Sequence, residues 1–182
     1  MAKQEDLEIL IRPIRKEDIE ILNEIHRMDG VRETITGITS KRISQSEQWF
    51  NSLTSSDHIL VAEDFSNGKK RVLGSASIHL KTSHRFRHIA AIGIMVHADF
   101  HGKGIGRKLM NSLLDLADNW LNVVRLELSV SVNNDKAVNL YQSLGFKVEG
   151  TLKFAMFSYG KYEDLYLMAR YHFPETPVNQ VG

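Results

Sequence analysis

The strongest constraint on the fold is a change of hydrophobic period in the second half of the chain. AAIGIMV (90–96) is a short apolar run typical of a buried strand, whereas the residues from Ile105 onward carry apolar side chains at the 3.6-residue spacing of an amphipathic helix. The helical stripe comprises Ile105, Leu109, Met110, Leu113, Leu114, Leu116, Ala117, Trp120 and Leu121. VRLELSVSV (124–132) then alternates as a strand with one apolar side. A strand, a long helix with one buried face and a second strand therefore follow one another.

Hairpins and short helices are predicted around this unit. The turns at 67–68 (Asn-Gly) and 159–160 (Tyr-Gly) join strand patterns, and Ser44 with Glu47 matches a capping box at the start of a helix. Gly145 follows another helix at the position favoured for a left-handed cap. The other strands are predicted at 7–14, 58–64, 71–80, 146–154 and 162–171, and the other helices over 16–28, from Ser44 and over 134–144. The order β α α β β β α β α β β implies an α/β protein with a mixed sheet.

Length and composition limit the domain organisation and the chemistry. A chain of 182 residues predicts a single domain, which we assign to residues 1–173, followed by a mobile tail over 174–182 that has little to bury. The sequence contains no cysteine. This excludes a disulfide framework, a zinc ribbon, an iron–sulfur cluster and a cysteine nucleophile.

The net charge and the hydropathy of the sequence limit the kinds of partner that we expect. With 23 Lys and Arg against 22 Asp and Glu, the formal net charge of +1 disfavours nucleic-acid binding. The N-terminus lacks the layout of a signal peptide, and no apolar run approaches the ~20 residues of a membrane span. We therefore expect a cytoplasmic protein without a nucleic-acid or membrane partner. The histidine pairs 84/88 and 97/101 lie outside predicted helices, so no metal site is expected.

A glycine-rich turn joins the AAIGIMV strand to the long helix. FHGKGIGRK (100–108) contains alternating glycines and three cations, which suits a pyrophosphate bound by backbone N–H groups at a helix N-terminus. The spacing excludes the Walker pattern and the dinucleotide fingerprint. A turn that merely connects two elements remains the alternative for this segment alone.

A second constellation lies in NDKAVNLYQSLGF (134–146). Asn134 and Tyr141 are seven residues apart, about two helical turns, so their side chains project from nearly the same side. A purely structural interpretation is also available: Asn134 begins the helix, and Tyr141 is a core aromatic residue.

Together the two constellations resemble the GNAT superfamily of N-acetyltransferases. HGKGIG (101–106) is similar to the Arg/Gln-x-x-Gly-x-Gly/Ala motif of that superfamily, with His101 where Arg or Gln is usual. The resemblance covers residues 8–171 in element order. The segments 118–151 and 159–170 look like a bacterial branch that acetylates free L-amino acids, and related patterns occur in enzymes that acetylate phosphinothricin-type compounds and ribosomal-protein N-termini.

The resemblance implies a mostly antiparallel mixed sheet with a central, splayed parallel strand pair flanked by helices. Coenzyme A would lie in the V-shaped opening of that pair, with its pyrophosphate at the positive end of the long helix, near Lys103, Arg107 or Lys108. A backbone N–H of AAIGIMV would bind the oxyanion, and Tyr141 would act as the general acid while Asn134 holds the cofactor or a water. The implied cofactor-binding residues are Ile94, Met95, Val96, His101, Gly102, Lys103, Gly104, Ile105, Gly106, Arg107, Asn134 and Tyr141.

The general base is missing from this pattern. Many relatives carry an acidic residue where this chain has Ala91. Glu127, His84 and His88 are available, but a surface or packing role is the better interpretation of each.

The sequence thus predicts acetyl transfer from acetyl-CoA to a small primary amine, most plausibly an L-amino acid, without a metal. The alternatives are acetylation of a protein N-terminus and a non-catalytic acyl-CoA sensor, which Ala91 and His101 keep open. Acceptor specificity is expected from residues 29–43 and from the hairpin around 157–162, with Phe154 and its aromatic neighbours as a candidate apolar wall. Many relatives dimerise, which keeps a homodimer open.

Overall fold

Seven strands and four α-helices make up the part of the chain that the structure describes. The computed structural model describes residues 7–35, 37–66, 68 and 70–173. The strands are β1 (Ile9–Pro13), β2 (Asp57–Asp64), β3 (Arg71–Leu80), β4 (Ile89–Val96), β5 (Arg125–Ser131), β6 (Lys147–Ser158) and β7 (Lys161–Tyr171), and the helices are α1 (Ile19–Arg27), α2 (Ile43–Asn51), α3 (Ile105–Asn119) and α4 (Asp135–Ser143). This is the predicted element order. Asn67 of the predicted turn and the predicted tail, 174–182, lie outside the described residues.

The sheet contains one parallel pair, and that pair is short. The strand order is β1-β2-β3-β4-β5-β7-β6, and every neighbouring pair is antiparallel except β4 with β5. These two strands pair only over 89–91 and 125–127, after which they separate. The expected fold class is confirmed: a mixed, mostly antiparallel sheet with a splayed parallel pair at its centre.

The separation of β4 from β5 corrects one expectation. AAIGIMV was expected to be a buried strand, but only Ala90 of β4 is fully buried, and Gly93 is exposed. The reason is that beyond Ala91 no strand lies on the β5 side of β4. The apolar composition of β4 therefore marks the edge of an opening.

Helices cover both faces of the sheet and form two cores. On one face, the stripe of α3 packs with the even-numbered side chains of β5 and with α4; Leu109, Leu113 and Leu126 are fully buried there. On the other face, α1 packs through Leu22 and Ile25. Trp120 was expected in the α3 stripe but is 76% exposed, because the helix ends at Asn119.

The start of α2 differs from the predicted capping box. The helix begins at Ile43, and Gln45 Oε1 accepts a hydrogen bond from the N–H of Arg42 at 2.8 Å. Ser44 therefore lies inside the first turn, and Ser44 with Glu47 is not the box. Ser46 is buried and accepts a hydrogen bond from Asn23 Nδ2 at 2.8 Å, which ties α2 to α1.

A buried ion network fixes the start of α1 to the sheet. Arg12 of β1, itself only 6% exposed, donates to both carboxylate oxygens of Asp18 at 2.8 Å and to those of Glu63 at 2.9 and 3.0 Å. Burial disfavours the charged form of Asp18, but hydrogen bonds from Arg12 and Arg15 hold its pKa below the usual value. The hydrogen bonds of Arg12 likewise lower the pKa of Glu63.

Replacing Arg12 should destabilise the fold. Arg12→Met leaves two buried carboxylates without their counter-charge, and we expect a loss of about 3–5 kcal/mol in the free energy of unfolding, measured by denaturant titration. Because folding lowers both carboxyl pKa values, the stabilisation is complete above their unfolded values, near ~4, and is lost as the pH falls through the folded values. The difference between wild type and variant should therefore shrink in acid. Lys153→Met, which breaks the exposed pair with Asp164, should leave the melting temperature unchanged.

Candidate active site

The peptide groups of β4 that face the opening lack a partner strand. The N–H of His97 bonds to Leu73 O, and Ile89 O accepts from Lys81 N–H, so the odd-numbered residues of β4 direct their peptide groups to β3. Those of the even-numbered residues point towards β5, which has separated. The N–H groups of Ile94 and Val96 are thus placed where an extended ligand could pair with them. Met95 differs: its peptide group faces β3, and its side chain packs on the α1 face.

The glycine turn forms an open backbone cradle. Gly102 and Gly104 both have left-handed φ values, 76° and 79°, and an added Cβ at either position would meet no atom within 4 Å. Within the described residues, the N–H groups of 102–107 donate to no protein acceptor; the first helical bond runs from Lys108 N–H to Gly104 O. Unbonded N–H groups over open space at a helix N-terminus suit a phosphate ligand.

Positive charge gathers at the same place. Lys103 Nζ lies 4.5 Å from the centre of the Phe100 ring, and Arg107 donates to Ser143 Oγ at 2.8 Å. Lys108 is exposed. The sequence patterns did not single out Arg71 of β3. Its guanidinium carbon lies 4.4 Å from the centre of the Phe100 ring, and the side chain also pairs with Asp64.

His101 contacts the opening directly. Its Nε2–H donates to the carbonyl oxygen of Val96 at 2.8 Å. That carbonyl is one of the groups that face away from β3. The imidazole therefore links the glycine turn to the end of β4, although it stands where the resemblance implies Arg or Gln.

The fold brings the second constellation to the glycine turn. A Cβ at Gly106 would lie 3.5 Å from Leu140 of α4 and 3.6 Å from Ile94, so the start of α3, α4 and the end of β4 converge. Asn134 caps α4, its Oδ1 accepting from Ala137 N–H at 3.2 Å, as the structural interpretation predicted.

Tyr141 is buried, with its ring 5.8 Å from that of Phe146. Its hydroxyl bonds to no other described residue. Burial raises the pKa of Tyr141 to about 12, because the phenolate would lose hydration without gaining a partner. The side chain therefore keeps its proton at neutral pH and is free to donate it to a ligand.

The three candidate bases from the sequence do not serve the opening. Glu127 accepts from Lys81 and Arg125 at 2.6 and 3.1 Å; burial disfavours its charge, but these bonds hold its pKa below the usual value. His84 and His88 are exposed and precede β4, at the end of the strand away from the opening.

A cavity of about 380 Å³ lies on the α1 face of the sheet and reaches β4. Its walls come from α1, the following loop, α2, β2, β3 and β4. The lining residues are Ile19, Leu22, Asn23, His26, Ile35, Lys41, Ser46, Trp49, Ile59, Ser75, Ala76, Ser77, Gly93, Ile94 and Met95. None of these described residues is Asp or Glu, and Lys41 is the one that carries a fixed charge.

The aromatic hairpin does not line this cavity. The side chains of Phe154, Phe157, Tyr159 and Tyr162 are exposed and none is in the wall. Of the two segments expected to set acceptor specificity, only the loop after α1 contributes, through Ile35 and Lys41. The hairpin instead braces that loop, because the Tyr159 hydroxyl donates to Glu33.

Residues 7–35, 37–66, 68 and 70–173 contain neither a metal-binding cluster nor a membrane-spanning helix. No three His, Asp or Glu side chains in these ranges are grouped to hold a metal ion. No helix there is long and apolar enough to cross a membrane.

Comparison with known proteins identifies relatives of this architecture. The acetyltransferase (GNAT) family model matches residues 22–146, more than half of the chain. An L-amino acid N-acetyltransferase of Escherichia coli (strain K12) is 38% identical over 99 residues, covering 54% of this chain and 61% of that protein. An L-amino acid N-acyltransferase of the same strain is 34% identical over 122 residues, covering 66% and 68%. The chain thus spans about three fifths to two thirds of the length of these curated relatives.

A solved structure extends the likeness to nearly the whole chain. The spermidine N-acetyltransferase from Vibrio cholerae, in complex with CoA and spermine, superposes with a TM-score of 0.79 at 25% identity. The match covers 90% of this chain and 95% of that one. Amino-acid and polyamine acetyltransferases are therefore both similar to this protein.

Two glycine substitutions should separate backbone strain from ligand binding. Gly104→Ala forces an L side chain into the left-handed region, so we expect a loss of roughly 1–2 kcal/mol in stability and weaker acetyl-CoA binding by calorimetry. Gly106→Ala is the matched control, because Gly106 lies within α3 and its Cβ would make only ordinary contacts. Alanine keeps the backbone N–H at this position, so the variant should be as stable as wild type or more so and should still bind acetyl-CoA through that group. Equal effects of both would contradict a role for the turn.

Proposed function

Because this chain belongs to the acetyltransferase (GNAT) family, we propose that it transfers the acetyl group of acetyl-CoA to the primary amine of a small L-amino acid. The family match includes β4, the glycine turn, α3 and α4, which together form the opening. The similarity to two L-amino acid acyltransferases supports the acceptor class. The similarity to a spermidine acetyltransferase makes polyamines the competing class, and the charge of the cavity supports the amino acid.

The charge of the cavity is the observation that supports an amino acid as the acceptor. Burial lowers the pKa of Lys41, and no carboxylate of the described residues pairs with its ammonium. Burial and the nearby Lys41 lower the pKa of His26, so the imidazole stays neutral. A cation without a counter-charge favours an anionic group and repels a polyamine. An amino acid supplies both an amine for transfer and a carboxylate for Lys41.

The opening supplies the other substrate site. We assign the pyrophosphate of acetyl-CoA to the N–H groups of 102–106 with Lys103 and Arg107, and its pantetheine to the backbone of Ile94 and Val96. Met95 then contributes through its side chain on the acceptor side. The bond of His101 to Val96 O fixes the end of β4, and Asn134 holds the start of α4 beside the cofactor.

Direct attack by the amine fits the residues present. The amine adds to the thioester carbonyl from the cavity side, and the N–H of Ile94 or Val96 donates to the oxyanion. Tyr141 donates its hydrogen bond to the sulfur as the C–S bond breaks. Burial raises the pKa of Tyr141, so the hydroxyl enters the reaction with its proton in place and passes it to the sulfur as CoA departs.

A thiol-release assay tests the proposal. Wild-type protein is incubated with acetyl-CoA and a panel of L-amino acids, polyamines and peptides, and free CoA is measured. We expect release with amino acids. Release with polyamines alone would contradict the acceptor class, and release with peptides alone would favour acetylation of a protein N-terminus. Acetyl-CoA binding, seen as a stabilisation of about 2.7 kcal/mol at a hundredfold excess over Kd, without release on any amine would favour the sensor.

Lys41 should control the preference for a carboxylate. Lys41→Met removes the ammonium and keeps much of the side-chain length, so we expect KM for amino acids to rise about tenfold or more, with less effect on the corresponding amino-acid amides. Arg42→Met is the matched control, because this neighbouring cation is exposed and lies outside the cavity. An unchanged amino-acid KM in Lys41→Met would remove Lys41 from the acceptor site.

Tyr141 should act on turnover and not on cofactor affinity. Tyr141→Phe deletes only the hydroxyl, which bonds to no described residue, so the fold should be kept. We expect kcat to fall on the order of 10²-fold while the Kd for acetyl-CoA changes little. Wild-type turnover in this variant would exclude Tyr141 as the general acid.

A further inference from the structure

Three polar side chains form a row on the acceptor face, beside the opening. Asp57 of β2 pairs in register with His79 of β3, and Ser77 precedes His79 by two residues, so all three project from the same face. On the neighbouring strand β4, Ala91 lies in register with His79, and Gly93 lies in register with Ser77. The row therefore faces the two smallest residues of the strand that borders the opening.

The hydrogen bonds of this row fix the histidine tautomer. His79 Nδ1 lies 2.7 Å from Asp57 Oδ1, and His79 Nε2 lies 3.1 Å from Ser77 Oγ. A carboxylate can only accept, so Nδ1 carries a proton, and in the neutral imidazole Nε2 then offers its lone pair to the serine hydroxyl. Thr54 donates through its N–H and its hydroxyl to the other oxygen of Asp57, both at 2.8 Å, which holds the carboxylate in place.

Ser77 connects this row to the acceptor cavity. It lines the cavity together with Gly93, and an added Cβ on Gly93 would lie 3.4 Å from Ser77 Oγ. The hydroxyl is therefore at the surface where the cavity meets β4. His79 is itself 39% exposed on its side chain, so its proton can pass to water.

We propose that Ser77, His79 and Asp57 form a proton relay that deprotonates the ammonium group of the acceptor before it attacks. The inference deepens the proposed function and rests on it. The Ser77 hydroxyl passes its proton to His79 Nε2 and takes one from the acceptor ammonium, which becomes a neutral amine. Ser77 ends unchanged, and His79 becomes an imidazolium paired with the Asp57 carboxylate.

The surrounding groups leave His79 as the one that fits this task. His26 of the cavity wall is a weaker base, because burial and the nearby Lys41 lower its pKa. Glu127 faces the same side from β5, but it is paired with Lys81 and Arg125. Lys41 lies in the cavity as a cation and cannot accept a proton in that form. Beside His79, Asp57 is the acidic partner, and its hydrogen bond from His79 lowers the pKa of Asp57 to about 2, so it stays ionised. Asp57 is thus a positioning residue that favours the imidazolium.

The decisive measurement is the pH profile of kcat/KM for an amino acid. His79→Gln keeps a polar side chain without a titratable nitrogen, and we expect kcat/KM to fall on the order of 10²-fold near pH 7. The deficit should narrow as rising pH supplies free amine without a base. KM for acetyl-CoA and the melting temperature should match wild type. His88→Gln, at an exposed histidine before β4, is the matched control and should keep the wild-type profile.

Two further variants separate the relay from a packing role. Ser77→Ala keeps the His79–Asp57 pair but removes the hydroxyl, and should lower kcat with little change in acetyl-CoA KM. Asp57→Asn removes the carboxylate that accepts from His79 Nδ1–H, so kcat should fall while the KM for acetyl-CoA is kept. A packing role would instead lower stability and leave kcat near that of wild type.

The outcomes are distinct for the two proposals. The relay is overturned if His79→Gln keeps the kcat/KM and the pH profile of wild type. It is also overturned if the loss of kcat/KM is the same at every pH. The acceptor class is determined with wild type alone. If wild type acetylates only polyamines, the amino-acid proposal fails, but the ratio of variant to wild-type kcat/KM still tests the relay. If none of the amines in the panel causes wild type to release CoA, both proposals fail.

Discussion

The short pairing of β4 with β5 is the constraint on which the rest of the site depends. Three residues of each strand are in register, and then the strands part. A sheet that continued would have bonded the even-numbered peptide groups of β4 and buried Gly93. Because it stops at Ala91, a backbone edge lies open in the middle of the sheet, and a ligand can complete the ladder there without any dedicated side chain.

The elements that follow β4 take their positions from this opening. The turn after β4 must reverse the chain so that α3 packs its apolar stripe on the sheet, and Gly102 and Gly104 supply the left-handed conformations for that reversal. The same turn leaves the first N–H groups of α3 unbonded at the mouth of the opening. One backbone arrangement therefore positions α3 for packing and presents unbonded N–H groups that suit a phosphate.

The sequence predicts those parts of the molecule that depend on local periodicity and on glycine spacing. The order of the elements, the stripe of α3 and the glycine turn were readable because each depends on neighbouring residues. The exposure of Gly93 was not, because it depends on the separation of β4 from β5. Likewise, no local pattern links Asp57 to His79, because their contact arises from the register of β2 and β3, 22 residues apart.

The two groups that we propose to transfer protons lie on opposite faces of the sheet at β4. Tyr141 packs with α3 on one face, and its proton is held by burial. His79 lies on the opposite face, with its lone pair directed at Ser77 by the carboxylate of Asp57. In the mechanism proposed above, β4 therefore lies between the group that would take the proton of the acceptor and the group that would protonate the departing sulfur, and its open backbone edge would hold the thioester between them.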